Sequence, residues 1–266
     1  MEIKSKEYFQ ELFSRVYSTL QKSGFDIEKN LPKLPDFNKL DDTDIFEGLC
    51  KAIFSIQAVW NNYEKNFEAI NKLLFYYNLK KISELCNDEI EQIYTKIKSL
   101  KIRDRFLNKK LYDFRDNAKT FLKIANRFGS VHRFIEQNFT NKEYLITQFT
   151  DHQSEYKLSR VGLAICSEFF KNIGIDDFKP DLHMNRFFAR IGLIDNPTFK
   201  NTPRIDFQIR KIGIEFANKI GKPAHHVDSI LWLFCAEGKG EICSSKPKCQ
   251  KCELYTKEPK LCKGHY

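Results

Sequence analysis

Apolar residues recur along this chain at the three- and four-residue intervals of amphipathic helices, and strand-like alternation bounded by hairpin turns is hard to find. The pattern predicts an all-α protein. In the first segment, MEIKSKEYFQELFSRVYSTL, charges are mixed into a helical period; NLPKLPDFNKLDD then reads as an extended connector, because Pro32 and Pro35 oppose helix. Asp44 and Glu47 have capping-box spacing, and Phe46, Leu49, Cys50, Ile53 and Phe54 fall on one helical face, so a helix is expected to start there. More helices are expected at about 64–77, 82–99, 112–127 and 130–138, with apolar-periodic segments over roughly 141–149, 159–172, 182–192, 204–219 and 225–236. Pro197 and Pro203 mark a second connector, and Gly238 and Gly240 introduce a cysteine-bearing tail. No internal repeat or low-complexity tract is visible.

At 266 residues the chain is long enough for one large or two small domains and buries roughly three quarters of its unfolded surface. A hydrophobic share of 42%, with 24 Phe, argues against disorder, and the longest apolar run, Ile230 to Ala236, is too short to cross a bilayer. No membrane partner is expected. The N-terminal segment lacks the uninterrupted apolar stretch of a secretory signal. Eight cysteines, half of them in one cluster, fit a reducing compartment, so a cytoplasmic, nucleoid-associated protein is expected. Forty-four Lys and Arg against 35 Asp and Glu give a formal charge of +9, which favours approach to a polyanion such as nucleic acid without identifying one.

The most specific signal lies near the C-terminus. Cys243, Cys249, Cys252 and Cys262 have the spacing C-x5-C-x2-C-x9-C, and thiolates this close in sequence can converge on one soft centre. Lys246, Lys248 and Lys251 among them would offset the charge of a four-sulfur cage. Spacing alone leaves a [4Fe-4S] cluster and a zinc ion both open. Cys50, Cys86, Cys166 and Cys235 sit in apolar helical settings and read as core residues. The second informative stretch is LSRVGLAICSEFFKNIGIDDFKPDLHMNRFFARIGLI, residues 158–194, where two helices flank a short hairpin, Leu158 to Gly162. Pro180 keeps the chain out of helix, and Met184, Phe187, Phe188 and Ile191 then supply an apolar face, which makes Asp181 a natural N-cap. Backbone amides and the helix dipole favour its ionised form, so a carboxylate is held at a fixed place and angle.

Three separated segments resemble the helix-hairpin-helix DNA glycosylases of the endonuclease III type. FEGLCKAIFSIQAVWNN, Phe46 to Asn62, is similar to the family helix that ends in S-x-Q-A, with Gln57 at the glutamine inserted into the duplex beside the extruded nucleotide. PDLHMNRFFARIGL resembles V-D-T-H-x-x-R-x-x-x-R-L-G-L, placing Asp181 on the catalytic aspartate, with His183, Arg186 and Arg190 also matching. The cysteines resemble the family's iron-sulfur loop, usually C-x6-C-x2-C-x5-C. The resemblance implies a two-lobed fold, a barrel-like domain over 44–158 and a second domain from 1–43 plus 159–266, carrying a [4Fe-4S] loop. It implies a monomeric base-excision enzyme acting on double-stranded DNA with a damaged or modified base. Asp181 would support cleavage of the N-glycosidic bond and Gln57 would fill the gap left by the flipped nucleotide. Arg160, Gly162, Lys246 and Lys248 would meet phosphates, His183 would lie along the DNA, and Trp60 would stack on the base.

The departures carry information too. The family hairpin reads L-P-G-x-G-x-K, and here Leu158, Ser159, Arg160, Val161, Gly162, Leu163 and Ala164 keep only the second glycine. The Cβ of Arg160 disfavours the positive φ that the first glycine allows. Ala164 stands where bifunctional members carry the Schiff-base lysine, so strand nicking is expected to be absent or slow. Lys51 stands where adenine-removing relatives place a glutamate, which argues against that substrate. The cysteine loop is one residue shorter in its first gap and four longer in its last. Two other readings remain at this point: a catalytically inactive iron-sulfur DNA-binding protein on the same scaffold, and a zinc-organised module for protein partners.

Overall fold

A computed structural model describes residues 4–57 and 60–264, with only the backbone described at 60 and 61. Every regular element among them is helical. In chain order the helices are α1 (Lys6–Lys22), α2 (Ile27–Asn30), α3 (Asp42–Phe54), α4 (Trp60–Glu64), α5 (Phe67–Leu73), α6 (Leu79–Ser83), α7 (Asn87–Ser99) and α8 (Leu107–Phe128). There follow α9 (Val131–Gln137), α10 (Lys142–Thr150), α11 (Leu163–Asn172), α12 (Leu182–Arg190), α13 (Pro203–Ile220), α14 (Ala224–Cys235) and α15 (Glu253–Thr256). The chain divides into two compact units, 34–175 and 1–33 plus 176–266. The domain boundary expected at 158/159 thus falls after Ile175 instead. The reason is α11, whose Cys166, Phe169 and Phe170 are buried in the core of the 34–175 unit.

The 34–175 unit is built around α3. Ile45, Phe46, Leu49, Cys50, Ile53 and Phe54 are all buried, as their spacing predicts, and α11 lies so close that a Cβ on Gly48 would stand 2.7 Å from the Ile173 side chain. The helix starts earlier than expected. Asp41 is its N-cap, accepting from the amides of Thr43 and Asp44, while the Asp44 carboxylate returns to the Asp41 amide. That reciprocal pair satisfies orphan donors one turn ahead of the Asp44–Glu47 box, and Glu47 instead pairs with Lys51 at 2.8 Å. The helix expected over 64–77 stops at Leu73, because Phe75, Tyr76 and Tyr77 take positive φ and Tyr77 packs into the core with its hydroxyl on Asn71, 3.0 Å away. The helix expected over 82–99 is broken between Ser83 and Asn87, where the Cys86 amide donates to Glu89 and starts a new capping box.

In the other unit the two ends of the chain form one core, with Phe9, Leu12, Val16 and Leu20 of α1 packed among residues of α12, α13 and α14. Arg15 does more than pack. Its buried guanidinium donates to the carbonyls of Lys257 and Pro259, at 3.0 and 2.9 Å, and more weakly to those of Glu253 and Glu258, at 3.4 Å each. Thr19 accepts the Glu253 amide at 3.1 Å, and Lys22 meets the Glu253 carboxylate at 2.5 Å. Although burial alone would raise the Glu253 carboxyl, Lys22, Lys257 and Ser18 outweigh it and hold the group down to about 2.

Candidate active site and cysteine loop

Asp181 is the N-cap of α12. Its Oδ1 accepts from the amides of His183 and Met184, at 2.8 and 3.1 Å, while Oδ2 stands 3.9 Å from Nζ of Lys179. One oxygen is thus committed to the helix and the other faces a cation. The carboxylate keeps 17% of its surface, enough to be reached from outside. The approach to it is fixed at three points. Asp176 accepts the amides of Ala224 and His225 at the start of α14; Asp177 forms a buried pair with Nε of Arg210 at 2.9 and 3.1 Å; and the Phe178 ring fills the place where a Cβ on Gly213 would stand 2.2 Å away. Sequence reading placed Asp181 correctly at the helix tip and had no signal for this mounting, whose partners are 33 to 49 residues downstream.

The surroundings of Asp181 are polar in an ordered way. Asn196 donates to Asn185 at 2.8 Å, Asn185 to Asn201 at 2.9 Å and Asn201 to Asp206 at 2.7 Å, a one-directional amide chain ending on a second carboxyl. Burial pushes the Asp206 carboxyl above its ordinary value; the Asn201 hydrogen bond opposes this and the Asp181 charge reinforces it. Burial likewise pushes His183 down, against the upward pull of Asp181, so its ring is neutral at physiological pH. A cavity of ≈ 1150 Å³ in the same unit is bordered by Arg190, Phe199, Arg204 and Cys262 and does not include Asp181.

In the 34–175 unit, the hairpin replaces the missing glycine with side-chain bracing. Arg160 does adopt positive φ, at 62°, so the expected penalty is borne rather than avoided. Asp113 holds it there. One carboxylate oxygen takes the Ser159 hydroxyl at 2.5 Å and the other pairs with the Arg160 guanidinium, which is therefore engaged within the protein. Asn117 meets both the amide and carbonyl of Ser159, at 2.6 and 3.1 Å, and Lys157 caps the carbonyls of Leu158 and Val161. Gly162 is exposed, with ordinary φ and open space where a Cβ would be, and it caps α11 without a side-chain hydrogen bond. The first amides of α11 beyond it offer a phosphate-type surface.

Gln57 follows α3 in the same unit, exposed and at a φ of 48°, and its Oε1 accepts from Nη2 of Arg105 at 2.9 Å. Beneath this turn lies a buried ion pair. Nζ of Lys110 meets Asp104 at 2.5 Å and the carbonyls of Ile56 and Phe54 at 2.7 and 3.1 Å, and Asp104 also takes the Tyr63 hydroxyl at 2.7 Å. The available signal was a lysine on the apolar stripe of α8, among Leu107, Leu111 and Phe114. The Trp60 side chain lies outside the described residues.

The cysteine loop has donors aimed at its sulfurs. Arg190 gives Nη1 to the Cys243 sulfur at 3.3 Å and to the carbonyls of Cys243 and Ser244, while the Gly264 amide reaches the Cys262 sulfur at 3.4 Å. A hydrogen bond from Cys235 and the Arg190 guanidinium draw the Cys243 thiol down to about 7 against burial, whereas burial pushes Cys252 up to about 12. Burial also raises the Cys262 thiol. Among the described residues, no three His, Cys, Asp or Glu side chains are grouped closely enough to hold a single metal ion. Cys50, Cys166 and Cys235 are fully buried, as expected, whereas Cys86 is exposed, because it caps α7 instead of joining the core. Lys246 is exposed, and Lys248 pairs with Glu241 at 3.1 Å.

The methyladenine glycosylase family profile matches residues 36–197, more than half of the chain. No curated protein matches. Among solved structures, a trapped covalent intermediate of endonuclease III with DNA is 15% identical, with a TM-score of 0.59 over 96% of this chain and 95% of that one. The 8-oxoguanine DNA glycosylase of Thermotoga maritima is 17% identical, with a TM-score of 0.57 over 87% and 98%. The Methanocaldococcus jannaschii 8-oxoguanine glycosylase/lyase, in complex with 15mer DNA containing 8-oxoguanine, is 19% identical, with a TM-score of 0.55 over 84% and 96%. These likenesses are of fold.

Proposed function

The chain belongs to the methyladenine glycosylase family, and from that premise we propose that it hydrolyses the N-glycosidic bond of an alkylated or otherwise modified base flipped out of double-stranded DNA. The observation that carries this is the mounting of Asp181: one oxygen held by two amides, the other presented beside Lys179, on a segment pinned at Asp176, Asp177 and Phe178. As the base leaves, positive charge builds on the sugar, and a carboxylate fixed in advance stabilises it without reorganising. Its proximity also suits it to orient the attacking water. A purine methylated at N3 or N7 already carries positive charge and departs as a neutral base, so the reaction does not require a strong acid beside it.

Ala164 offers no amine, Lys157 is tied to hairpin carbonyls, and Lys171 lies 3.5 Å from Glu168. Hydrolysis without efficient strand nicking follows. Lys179 is the amine a borohydride trap would find if any adduct formed. Gln57 is the wedge, and the exposed amides at Gly162 together with Lys246 are the phosphate contacts, while Arg160 and Lys248 act first within the protein. Cys243, Cys249, Cys252 and Cys262 would hold a [4Fe-4S] cluster, which when bound supplies a structural brace for the C-terminal loop. The sulfur-directed donors at Cys243 and Cys262 support that assignment.

Release of free methylpurines from duplex DNA treated with a methylating agent tests the reading. Wild type is expected to release them, and Asp181→Asn to lose on the order of a hundredfold or more in single-turnover rate while still binding DNA. Equal rates for both proteins would remove Asp181 from the chemistry. DNA binding with no base released by either would favour a catalytically inactive scaffold.

A further inference from the structure

The contact between Arg105 and Gln57 fixes which end of the amide faces outward. A guanidinium has donors and no acceptor, so the group it meets at 2.9 Å must be the amide oxygen, and the NH2 is left pointing away. Both side chains are seated on the same buried base. Lys110 holds the carbonyl of Ile56, directly before Gln57, and its partner Asp104, directly before Arg105, takes the amide of Phe106 at 2.7 Å. The Phe106 ring lies 4.7 Å from the Arg105 guanidinium and fixes its plane. The two side chains are thus presented as a pair.

We propose that Arg105 is a specificity-determining residue that, by occupying the oxygen of Gln57, makes the wedge a donor toward the base opposite the extruded nucleotide. This rests on Gln57 being the wedge. Where the wedge meets the opposite base on its minor-groove edge, adenine, thymine and cytosine present only acceptors, whereas guanine adds the N2 amino donor. A wedge locked as a donor accepts the first three and is opposed by guanine. Thymine, the base left behind when a modified adenine is extruded, falls among the favoured partners. Covering by DNA dries the Arg105–Gln57 contact, which strengthens it when the choice is made.

Binding to duplexes carrying a tetrahydrofuran abasic analogue opposite each of the four bases tests this without knowledge of the lesion. Wild type is expected to bind the guanine duplex about tenfold more weakly than the thymine duplex, the size of one lost hydrogen-bonded contact. Arg105→Ala frees the amide to turn over, and the four affinities should come within about threefold of one another. In a Gln57→Ala background, Arg105→Ala should change the pattern no further. A guanine penalty that survives Arg105→Ala overturns the proposal. So does a uniform loss on all four duplexes that persists in the Gln57→Ala background, which would make Arg105 a phosphate contact. If Gln57→Ala binds all four as wild type does, the wedge assignment itself fails, and that result is distinct from the other two.

Discussion

Replacing Arg210 by Met tests whether the mounting of the Asp181 carboxylate is as rigid as its geometry implies. Asp177 is fully buried and Arg210 nearly so, and the two oxygens meet Nε at 2.9 and 3.1 Å. Arg210→Met leaves a carboxylate in the interior with its cation gone, a loss of about 3–5 kcal/mol when only one partner is removed. Changing both, Asp177→Val with Arg210→Met, removes the stranded charge and should recover at least half of that. Urea unfolding followed by circular dichroism gives the stabilities, and hydrogen exchange over 176–184 shows whether the change is local. Per folded molecule, the single variant should release methylpurines at least about tenfold more slowly with DNA affinity unchanged, since a displacement near 1 Å at a reacting group has effects of this order or larger. A destabilisation below about 1 kcal/mol, or an unchanged rate, would refute the idea that this pair holds Asp181 in place.

Protonating His183 is opposed by its burial, so its contribution to stability is full above the ordinary value of 6.5 and is lost as pH falls through the lower folded value. Urea midpoints measured from about pH 8 to about pH 5 should fall for wild type and fall less for His183→Gln, in which His226, also pushed down by burial, still titrates. Lys110→Met should cost about 3–5 kcal/mol and raise hydrogen exchange over 54–57, because Asp104 and two carbonyls lose their partner; exchange confined to other segments would contradict the role given to Lys110. Cys252→Ser should abolish absorbance in the sulfur-to-iron charge-transfer band, and a wild-type protein that is colourless and contains zinc would replace the cluster with the other metal. Gly213→Ala should destabilise by about 1–3 kcal/mol, since the Phe178 ring already fills that space; calorimetry showing no loss would mean the ring has somewhere else to go.

How much of this was legible in the sequence depended on whether a feature is local. The N-cap at Asp181 was readable because Pro180, the capping residue and the apolar face of α12 lie within a dozen positions. The all-helical character and most helix faces were readable for the same reason. The start of α3 was misplaced by three residues because two overlapping acid pairs, Asp41–Asp44 and Asp44–Glu47, have the same spacing, and only the fold shows which amides lack partners. The hairpin at Leu158 to Gly162 was readable, but what braces it was not. Its support comes from Asp113 and Asn117, 46 and 42 residues before Ser159, and no periodicity connects them. Arg105 was missed because it looks like an ordinary surface cation until Gln57, 48 residues earlier, is seen; Lys110 stood out only by its place on the apolar stripe of α8, and its partner carbonyl at Ile56 lies 54 residues earlier.

The grip of Arg15 on the carbonyls of Lys257 and Pro259 sets an order of events during synthesis. The continuous 34–175 unit has all its parts once its own last helix has cleared the ribosome, and it is free to fold while translation proceeds. The unit that joins the first helix to the last loop must wait until residues 176–262 have been made. Until then α1 lacks the full set of partners for its apolar face, and any metal destined for the four cysteines has no complete set of thiols to meet.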